Sequence, residues 1–223
     1  MEHLSPLSLA RMIDISCVKA NHTLAEINQM IASAKKYQFV CAFALPSYTS
    51  YLYEQLKVDP QILVGGAIGF PSGGDTTRTK VFQANELIEI GCGELDMVIN
   101  LTHLKSHNYK AVLDDISAVV KTAGNIPVKS ILEVTLLTEE ELVTACKIAV
   151  DAGVTFVKTG TGWCSSPTTV EHIRQMKQAV GNQVKIKAAG GIRDLSTLRA
   201  MADAGCSRFG IGVASAVSIL SQL

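Results

Sequence analysis

The stretch Ile62-Leu-Val-Gly-Gly-Ala-Ile-Gly69 decides the fold class. It is apolar at every position and shows no alternation between apolar and polar residues. Strands of this kind are buried on both faces, as they are in parallel sheets that helices cover on each side. The stretch therefore predicts an α/β protein built on a parallel sheet.

Similar apolar runs rich in β-branched residues recur at fairly even spacing along the chain. Together with residues 62–69, there are eight such runs, at residues 12–15, 39–45, 62–69, 94–100, 128–134, 155–160, 184–190 and 208–212. Stretches with helical periodicity lie between them, at residues 23–36, 79–90, 110–123, 138–152, 170–179 and 195–204, with a weaker aromatic one at 47–56. Gly153 and Gly205 each separate a helical stretch from the next run, where a helix end favours a residue that tolerates positive φ. Eight strands alternating with helices predict a (β/α)8 TIM barrel, and a doubly wound open sheet is the alternative.

The composition excludes several classes of protein. Of the 223 residues, 48% are hydrophobic, and 20 basic side chains balance 20 acidic ones, which argues against a disordered chain and against a basic nucleic-acid binder. No apolar stretch reaches the roughly 20 residues that a membrane span needs, and Met1-Glu-His-Leu-Ser-Pro6 lacks the basic and apolar regions of a secretory signal. We therefore expect one barrel domain over residues 1–223, located in the cytoplasm, without a nucleic-acid or membrane partner.

Neither cysteines nor histidines form a motif that binds metal. The cysteines lie far apart and without a C-x-x-C pair, at Cys17, Cys41, Cys92, Cys146, Cys164 and Cys206. We expect most of them to be reduced and buried, since free cysteine packs as a small hydrophobic residue. His103 and His107 have i, i+4 spacing, but no glutamate completes an H-E-x-x-H motif. The sequence predicts no metal site.

Functional side chains of a (β/α)8 barrel project from the C-terminal ends of its strands. The polar candidates at these ends are Asp14, Cys41, Asp96, Asn100, Lys129, Glu133, Lys158 and Lys187. Lysines are unexpected in parallel strands, which are otherwise apolar. Because Lys158 and Lys187 fall on consecutive strands, the sixth and seventh, a barrel would place them side by side near its axis.

Two ammonium groups that face each other in a partly dry pocket lower the pKa of at least one of them. A neutral lysine amine is a nucleophile that forms Schiff bases with carbonyl substrates. The alternative interpretation is that one lysine only pairs with Asp96 or Glu133. We expect Lys185 to face outward if Lys187 faces the interior.

Several motifs together resemble the deoxyribose-phosphate aldolase family. They are Gly69-Phe-Pro-Ser-Gly73, Glu94-Leu-Asp-Met-Val-Ile-Asn100, Val128-Lys-Ser-Ile-Leu-Glu133, Phe156-Val-Lys-Thr-Gly-Thr-Gly162 and Lys187-Ala-Ala-Gly-Gly-Ile192. They follow the family's order and spacing over about residues 10–215. The resemblance implies a class I aldolase on a (β/α)8 barrel, which reversibly cleaves 2-deoxy-D-ribose 5-phosphate into acetaldehyde and glyceraldehyde 3-phosphate without a metal or other cofactor.

The resemblance also implies roles for individual residues. Lys158 corresponds to the Schiff-base lysine, Lys187 to the neighbour that lowers its pKa, and Asp96 to the carboxylate of a proton relay through water. The substrate-binding residues implied are Asp14, Cys41, Lys129, Thr161, Gly190, Gly191, Gly210 and Gly212. A class I aldolase for another small phosphorylated sugar, a phosphosugar isomerase and a non-catalytic phosphosugar-binding barrel stay open as alternatives. The sequence leaves open whether the chain forms a homodimer or a larger homo-oligomer.

The sequence departs from the family at positions that contact the substrate. The family usually has Lys-Thr-Ser-Thr-Gly after the sixth strand, where this chain has Gly160 in place of the serine. It usually has paired serines after the eighth strand, where this chain has Gly212 and Val213. Since the two lysines are retained, we expect the reaction type to be kept and the preference for a phosphorylated substrate to be weaker.

Overall fold

In a computed structural model, which describes residues 5–223, eight parallel strands form a closed barrel in sequential order. The strands are β1 (Ile13–Cys17), β2 (Cys41–Ala44), β3 (Leu63–Ile68), β4 (Glu94–Val98), β5 (Val128–Ile131), β6 (Phe156–Lys158), β7 (Lys185–Ala189) and β8 (Arg208–Gly212). Each strand pairs with the next, and β8 pairs with β1, which closes the barrel. The predicted (β/α)8 barrel is confirmed, and the open sheet is wrong.

Helices connect the strands around the outside of the barrel. They are α1 (Pro6–Ala10), α2 (Leu24–Tyr37), α3 (Pro46–Leu56), α4 (Thr77–Ile90), α5 (Leu101–Lys105), α6 (Tyr109–Ala123), α7 (Glu139–Asp151), α8 (Val170–Val180), α9 (Leu195–Asp203) and α10 (Val213–Leu220), with a 3-10 turn at Val134–Leu136. The weak aromatic stretch is the helix α3. The sequence did not predict α1 and α5, because five residues are too few to show a helical period.

Local signals determine where the long helices begin and end. The hydroxyls of Thr23 and Thr138 accept hydrogen bonds from the backbone N–H groups of Glu26 and Glu141, whose carboxylates accept bonds from the threonine N–H groups. These two capping boxes satisfy donors that a helix start leaves unpaired. Helix α4 ends at Gly91, whose φ of 103° disfavours any residue with a side chain.

The two faces of the strands have different chemistry. Val157 and Ile186 belong to the apolar core between the barrel and the helices. Their neighbours Lys158 and Lys187 point the opposite way, toward the barrel axis, because successive side chains alternate across a strand. The interior of the barrel therefore collects the charged side chains, and the apolar core lies outside it.

Lys185 corrects one prediction. Residues two apart on a strand share a face, so Lys185 points in the same direction as Lys187 rather than outward. It is exposed because it lies at the N-terminal end of β7, where its Nζ is 5.6 Å from the centroid of the Phe156 ring.

Within residues 5–223, no helix combines the length and the apolar character that crossing a bilayer requires. The prediction about a secretory signal concerns the N-terminal segment, and residues 1–4 of it lie outside the described part of the chain.

Candidate active site

A cavity of about 270 Å³ opens where the C-terminal ends of the strands meet. Of the predicted site residues, those that line it are Asp14, Asp96, Lys158, Thr161, Lys187, Gly190, Gly191, Gly210 and Gly212. They come from β1, β4, β6, β7, β8 and the segments that follow these strands. The barrel thus brings together nine of the predicted residues that are far apart in sequence.

Cys41 and Lys129 do not line this cavity. Both are completely buried, so neither side chain can contact a substrate directly in this arrangement. Burial, reinforced by the carboxylates of Asp14 and Glu94, raises the pKa of the Cys41 thiol well above its ordinary value. Lys129 instead donates hydrogen bonds to Glu94 at 2.7 Å and to Asp96 at 2.8 Å.

Asp96 joins three lysines at the floor of the cavity. Its Oδ2 atom accepts hydrogen bonds from Lys158 Nζ at 2.8 Å and from Lys187 Nζ at 2.7 Å, while its Oδ1 atom accepts one from Lys129. Because they share one oxygen, the nitrogens of Lys158 and Lys187 are at most 5.5 Å apart. The two lysines are also direct partners in the β6–β7 register. The predicted side-by-side placement is confirmed.

The pKa of Lys158 is lowered to about 8. Burial is the largest cause, because it disfavours the charged form; the ammonium groups of Lys187 and Lys129 lower the pKa further, against the opposing carboxylate of Asp96. Burial alone would raise the pKa of Asp96, but Lys129, Lys158 and Lys187 outweigh it and hold this pKa well below its usual range. The site therefore contains an ionised carboxylate beside a lysine that is readily deprotonated.

Three further groups complete the network. Asp14 lies 2.5 Å from Lys187 and 2.6 Å from Arg208. Glu94 lies 3.1 Å from Arg208 and 2.7 Å from Lys129. Sequence reasoning missed Glu94 and Arg208, although Glu94 stands two residues before Asp96 on the same strand and so had to share its face.

An aromatic ring packs against all three lysines. The centroid of the Phe43 ring is 4.5 Å from Lys187 Nζ, 5.2 Å from Lys129 Nζ and 5.9 Å from Lys158 Nζ. The face of an aromatic ring attracts cations without supplying an acceptor for their protons. Gly65 makes room for it, since a β-carbon there would lie 2.1 Å from the ring.

Gly160 is explained by its neighbour Glu133. Glu133 has a left-handed backbone, with φ of 53°, and its carboxylate accepts hydrogen bonds from the backbone N–H of Thr161 at 3.2 Å and from the Thr161 hydroxyl at 2.5 Å. A β-carbon on Gly160 would lie 2.6 Å from Glu133 Oε1. A serine at this position therefore requires Glu133 to move. At Gly212, by contrast, a β-carbon meets no atom within 4 Å.

Two loops meet at the rim of the cavity, and sequence reasoning did not predict their contact. Lys19 donates a hydrogen bond to the carbonyl of Gly162, and its Nζ lies 5.7 Å from the centroid of the Trp163 ring. Trp163 Nε1 donates to the carbonyl of Val18 at 2.8 Å. The loop after β1 is thus held to the loop after β6, beside the lining residue Lys19.

Potential metal ligands come together once among residues 5–223, at Asp14, Cys41 and Glu94, whose ligand atoms lie within 4.8 Å of one another. These residues do not fit a metal ion. Both carboxylates already pair with Arg208 and with lysines, and the thiol of Cys41 is held in its protonated form.

Active sites of (β/α)8 barrels lie at the C-terminal strand ends, and a lysine there with a lowered pKa can form a Schiff base with a carbonyl compound. The sequence of residues 16–221 matches the family model described as DeoC/LacD family aldolase. The chain belongs to this family.

Individual relatives agree with the family match. The chain is 45% identical to a deoxyribose-phosphate aldolase of Sinorhizobium medicae over 98% of this chain and 88% of that protein. It is 41% identical to one of Staphylococcus carnosus over 97% of both. A solved structure described as a tetrameric deoxyribose phosphate aldolase from Aeropyrum pernix superposes with a TM-score of 0.88 at 28% identity, over 98% of this chain and 92% of that one.

Proposed function

We propose that this protein is a class I aldolase that reversibly cleaves 2-deoxy-D-ribose 5-phosphate to acetaldehyde and glyceraldehyde 3-phosphate through a Schiff base on Lys158. The observation that carries the proposal is a lysine with a pKa of about 8 in the cavity, hydrogen-bonded to the ionised carboxylate of Asp96. The named activity of the relatives supports the choice of substrate.

The reaction follows from the chemistry of an amine. Neutral Lys158 attacks the carbonyl carbon of the open-chain sugar, and loss of one water gives a protonated imine. A base removes the proton of the hydroxyl group beyond the scissile carbon–carbon bond, and the electron pair of that bond moves into the iminium. Glyceraldehyde 3-phosphate leaves, and the remaining enamine is protonated on carbon and hydrolysed to acetaldehyde and free Lys158. The iminium is the electron sink in this sequence.

Asp96 and Lys187 are suited to moving the protons of these steps. Asp96 accepts hydrogen bonds from Lys158 and Lys187 on one oxygen atom, at 2.8 and 2.7 Å, so it holds the two amines beside each other. The low pKa of Asp96 keeps it ionised, and we assign it to positioning the water that carries the proton. The positive charge of Lys187 lowers the pKa of Lys158 and so increases the fraction of its neutral form.

We assign the phosphate group to the side of the cavity formed by β7, β8 and α10. Gly190 and Gly191 have φ values of 101° and 84°, conformations that favour glycine, and both line the cavity. Gly212 is the N-cap of α10 and makes no side-chain capping bond, which leaves backbone N–H groups of the first turn for an anion. Arg193 and Lys19 add positive charge to the lining.

We further propose that residues 1–223 form one barrel domain, that the protein works in the cytoplasm, and that it forms a homodimer or a larger homo-oligomer. The tetramer described for the Aeropyrum pernix protein supports an oligomer. Light scattering on the purified protein tests the assembly, and a mass equal to one chain would contradict it.

Borohydride reduction in the presence of a panel of sugar phosphates and aldehydes tests the function. We expect 2-deoxyribose 5-phosphate and acetaldehyde to leave a reduced covalent adduct, and acetaldehyde to appear when the sugar phosphate is turned over without borohydride. Isomerisation of the sugar without an adduct would identify a phosphosugar isomerase. Binding without an adduct or turnover would identify a non-catalytic barrel.

A further inference from the structure

The charges inside the barrel do not balance when every group is ionised. The basic groups in the network are Lys129, Lys158, Lys187 and Arg208, and the carboxylates are Asp14, Glu94 and Asp96. Four positive charges would thus face three negative ones. An unpaired charge is far more costly to bury than a paired one, so one basic group loses its proton more readily than an exposed group would.

The contacts identify which basic group loses its proton most readily. Lys129 lies within 4.0 Å of all three carboxylates, and Lys187 pairs with two of them at 2.5 and 2.7 Å. Arg208 pairs with Asp14 and Glu94, and a guanidinium stays protonated in proteins. Among residues 5–223, Asp96 is the only carboxylate within 4.0 Å of Lys158 Nζ. Lys158 shares the Oδ2 atom of Asp96 with Lys187. Lys158 is the least compensated of the four.

We propose that Arg208, deep in the barrel, favours the uncharged form of Lys158 by occupying Asp14 and Glu94, and that Glu94 acts in the opposite direction, so that the two residues together set the number of charges in the interior. Arg208 holds Asp14 and Glu94, so these carboxylates are not free to compensate a fourth ammonium group. In this account Arg208 and Glu94 are positioning residues that act through the electrostatic network without touching the substrate. The effect on the charge of Lys158 is argued from the ion pairs alone. Its importance for catalysis rests on the proposed function.

The other titratable groups around Lys158 do not change this balance. They are Cys41 on β2, Glu133 after β5, Lys19 and His22 after β1, Arg193 after β7, and Lys185 at the exposed N-terminal end of β7, where solvent screens its charge. The Cys41 thiol stays protonated because of its burial, and Glu133 accepts its hydrogen bonds from Thr161 rather than from a lysine or arginine of the network. Lys19, His22 and Arg193 lie in the segments at the rim, where water reaches their charges.

Four variants separate charge balance from structural damage. Arg208→Met leaves three basic groups with three carboxylates, so the charged form of Lys158 is better compensated, and we expect its pKa to rise by about one unit. Arg208→Lys keeps the charge and should move the pKa much less. Glu94→Gln leaves two carboxylates for four basic groups and should lower the pKa. Glu94→Gln combined with Arg208→Met restores an excess of one positive charge and should return the pKa close to the wild-type value.

Nuclear magnetic resonance of protein labelled with carbon-13 lysine gives the pKa directly, with the Lys158 signal assigned by its loss in Lys158→Met. An unchanged pKa in Arg208→Met, or shifts in the same direction for Arg208→Met and Glu94→Gln, would overturn the inference. If Arg208→Met does not fold, a pKa that is unchanged or raised in Glu94→Gln also overturns it. The titration requires no turnover, so it is independent of borohydride trapping, whose failure would overturn the proposed function instead.

Discussion

Replacing Lys187 with leucine should raise the pKa of Lys158, because it removes the positive charge nearest to that amine. The two nitrogens are at most 5.5 Å apart, and a unit charge at that distance contributes about 3 kcal/mol at an effective dielectric constant of about 20. This energy corresponds to about two pKa units. Starting from a pKa of about 8, the neutral fraction of Lys158 at pH 7 should fall about 100-fold.

The pH dependence of kcat/KM measures this effect. A neighbouring cation lowers a lysine pKa, so its removal moves the acid limb of the profile to higher pH, and activity lost at pH 7 should largely return above about pH 10. Because the network is coupled, the apparent pKa belongs to the group of lysines rather than to Lys158 alone.

Lys185→Leu is the matched control, since it removes a lysine from the same strand and the same face. Lys185 lies at the exposed N-terminal end of the barrel, where solvent screens its charge, and its replacement should move the acid limb by less than about 0.3 units. An acid limb that stays in place in Lys187→Leu, or that moves equally in both variants, would refute the electrostatic role of Lys187.

Three further perturbations test other parts of the account. Asp96→Asn keeps the shape of the side chain but removes its charge, so kcat should fall by roughly 10²–10⁴ with a smaller change in KM; near-normal turnover would remove Asp96 from the proton transfer. Gly212→Ser fits without a clash and should increase the ratio of kcat/KM for 2-deoxyribose 5-phosphate to kcat/KM for 2-deoxyribose by about tenfold. Gly160→Ser displaces Glu133 and should lower kcat/KM for both substrates. A wild-type ratio that already reaches several orders of magnitude would show that backbone groups alone bind the phosphate. Asp115→Asn breaks a buried ion pair with Lys80 and should lower the free energy of unfolding in urea by about 3–5 kcal/mol, against less than about 1 kcal/mol for its exposed neighbour Asp114; equal losses would contradict the burial argument.

The fold could be predicted from the sequence because two independent signals mark the strands. Continuous apolar runs such as residues 62–69 indicate burial on both faces, and glycines between helices and strands mark the helix ends. The structure extends or trims these predictions by a few residues at most of the ends. Helix α5 was not predicted because it has only five residues and follows almost directly after β4. The apolar run at residues 94–100 was interpreted as a strand up to Asn100, which is the N-cap of α5.

The sequence was enough to predict the two lysines of the site, but not how deeply each charged group lies in the barrel or which groups pair. Lys158 and Lys187 were recognised as candidates because lysines are rare in parallel strands, which are otherwise apolar. A sequence gives the order of residues along a strand but not their height in the barrel, which the stagger between strands sets. For this reason the burial of Lys129 beneath Asp96, and the pairing of Glu94 with Arg208 from distant strands, emerge only from the structure.

The most direct test of the central claim is to map the residue that acquires a covalent adduct when acetaldehyde and borohydride are added. We expect the mass of one ethyl group on the peptide that contains Lys158, with a rate of labelling that rises through about pH 8. The adduct should be absent from Lys158→Ala at every pH. Labelling of Lys187 in the wild type, or a reducible adduct that persists in Lys158→Ala, would contradict the assignment of Lys158 as the Schiff-base lysine.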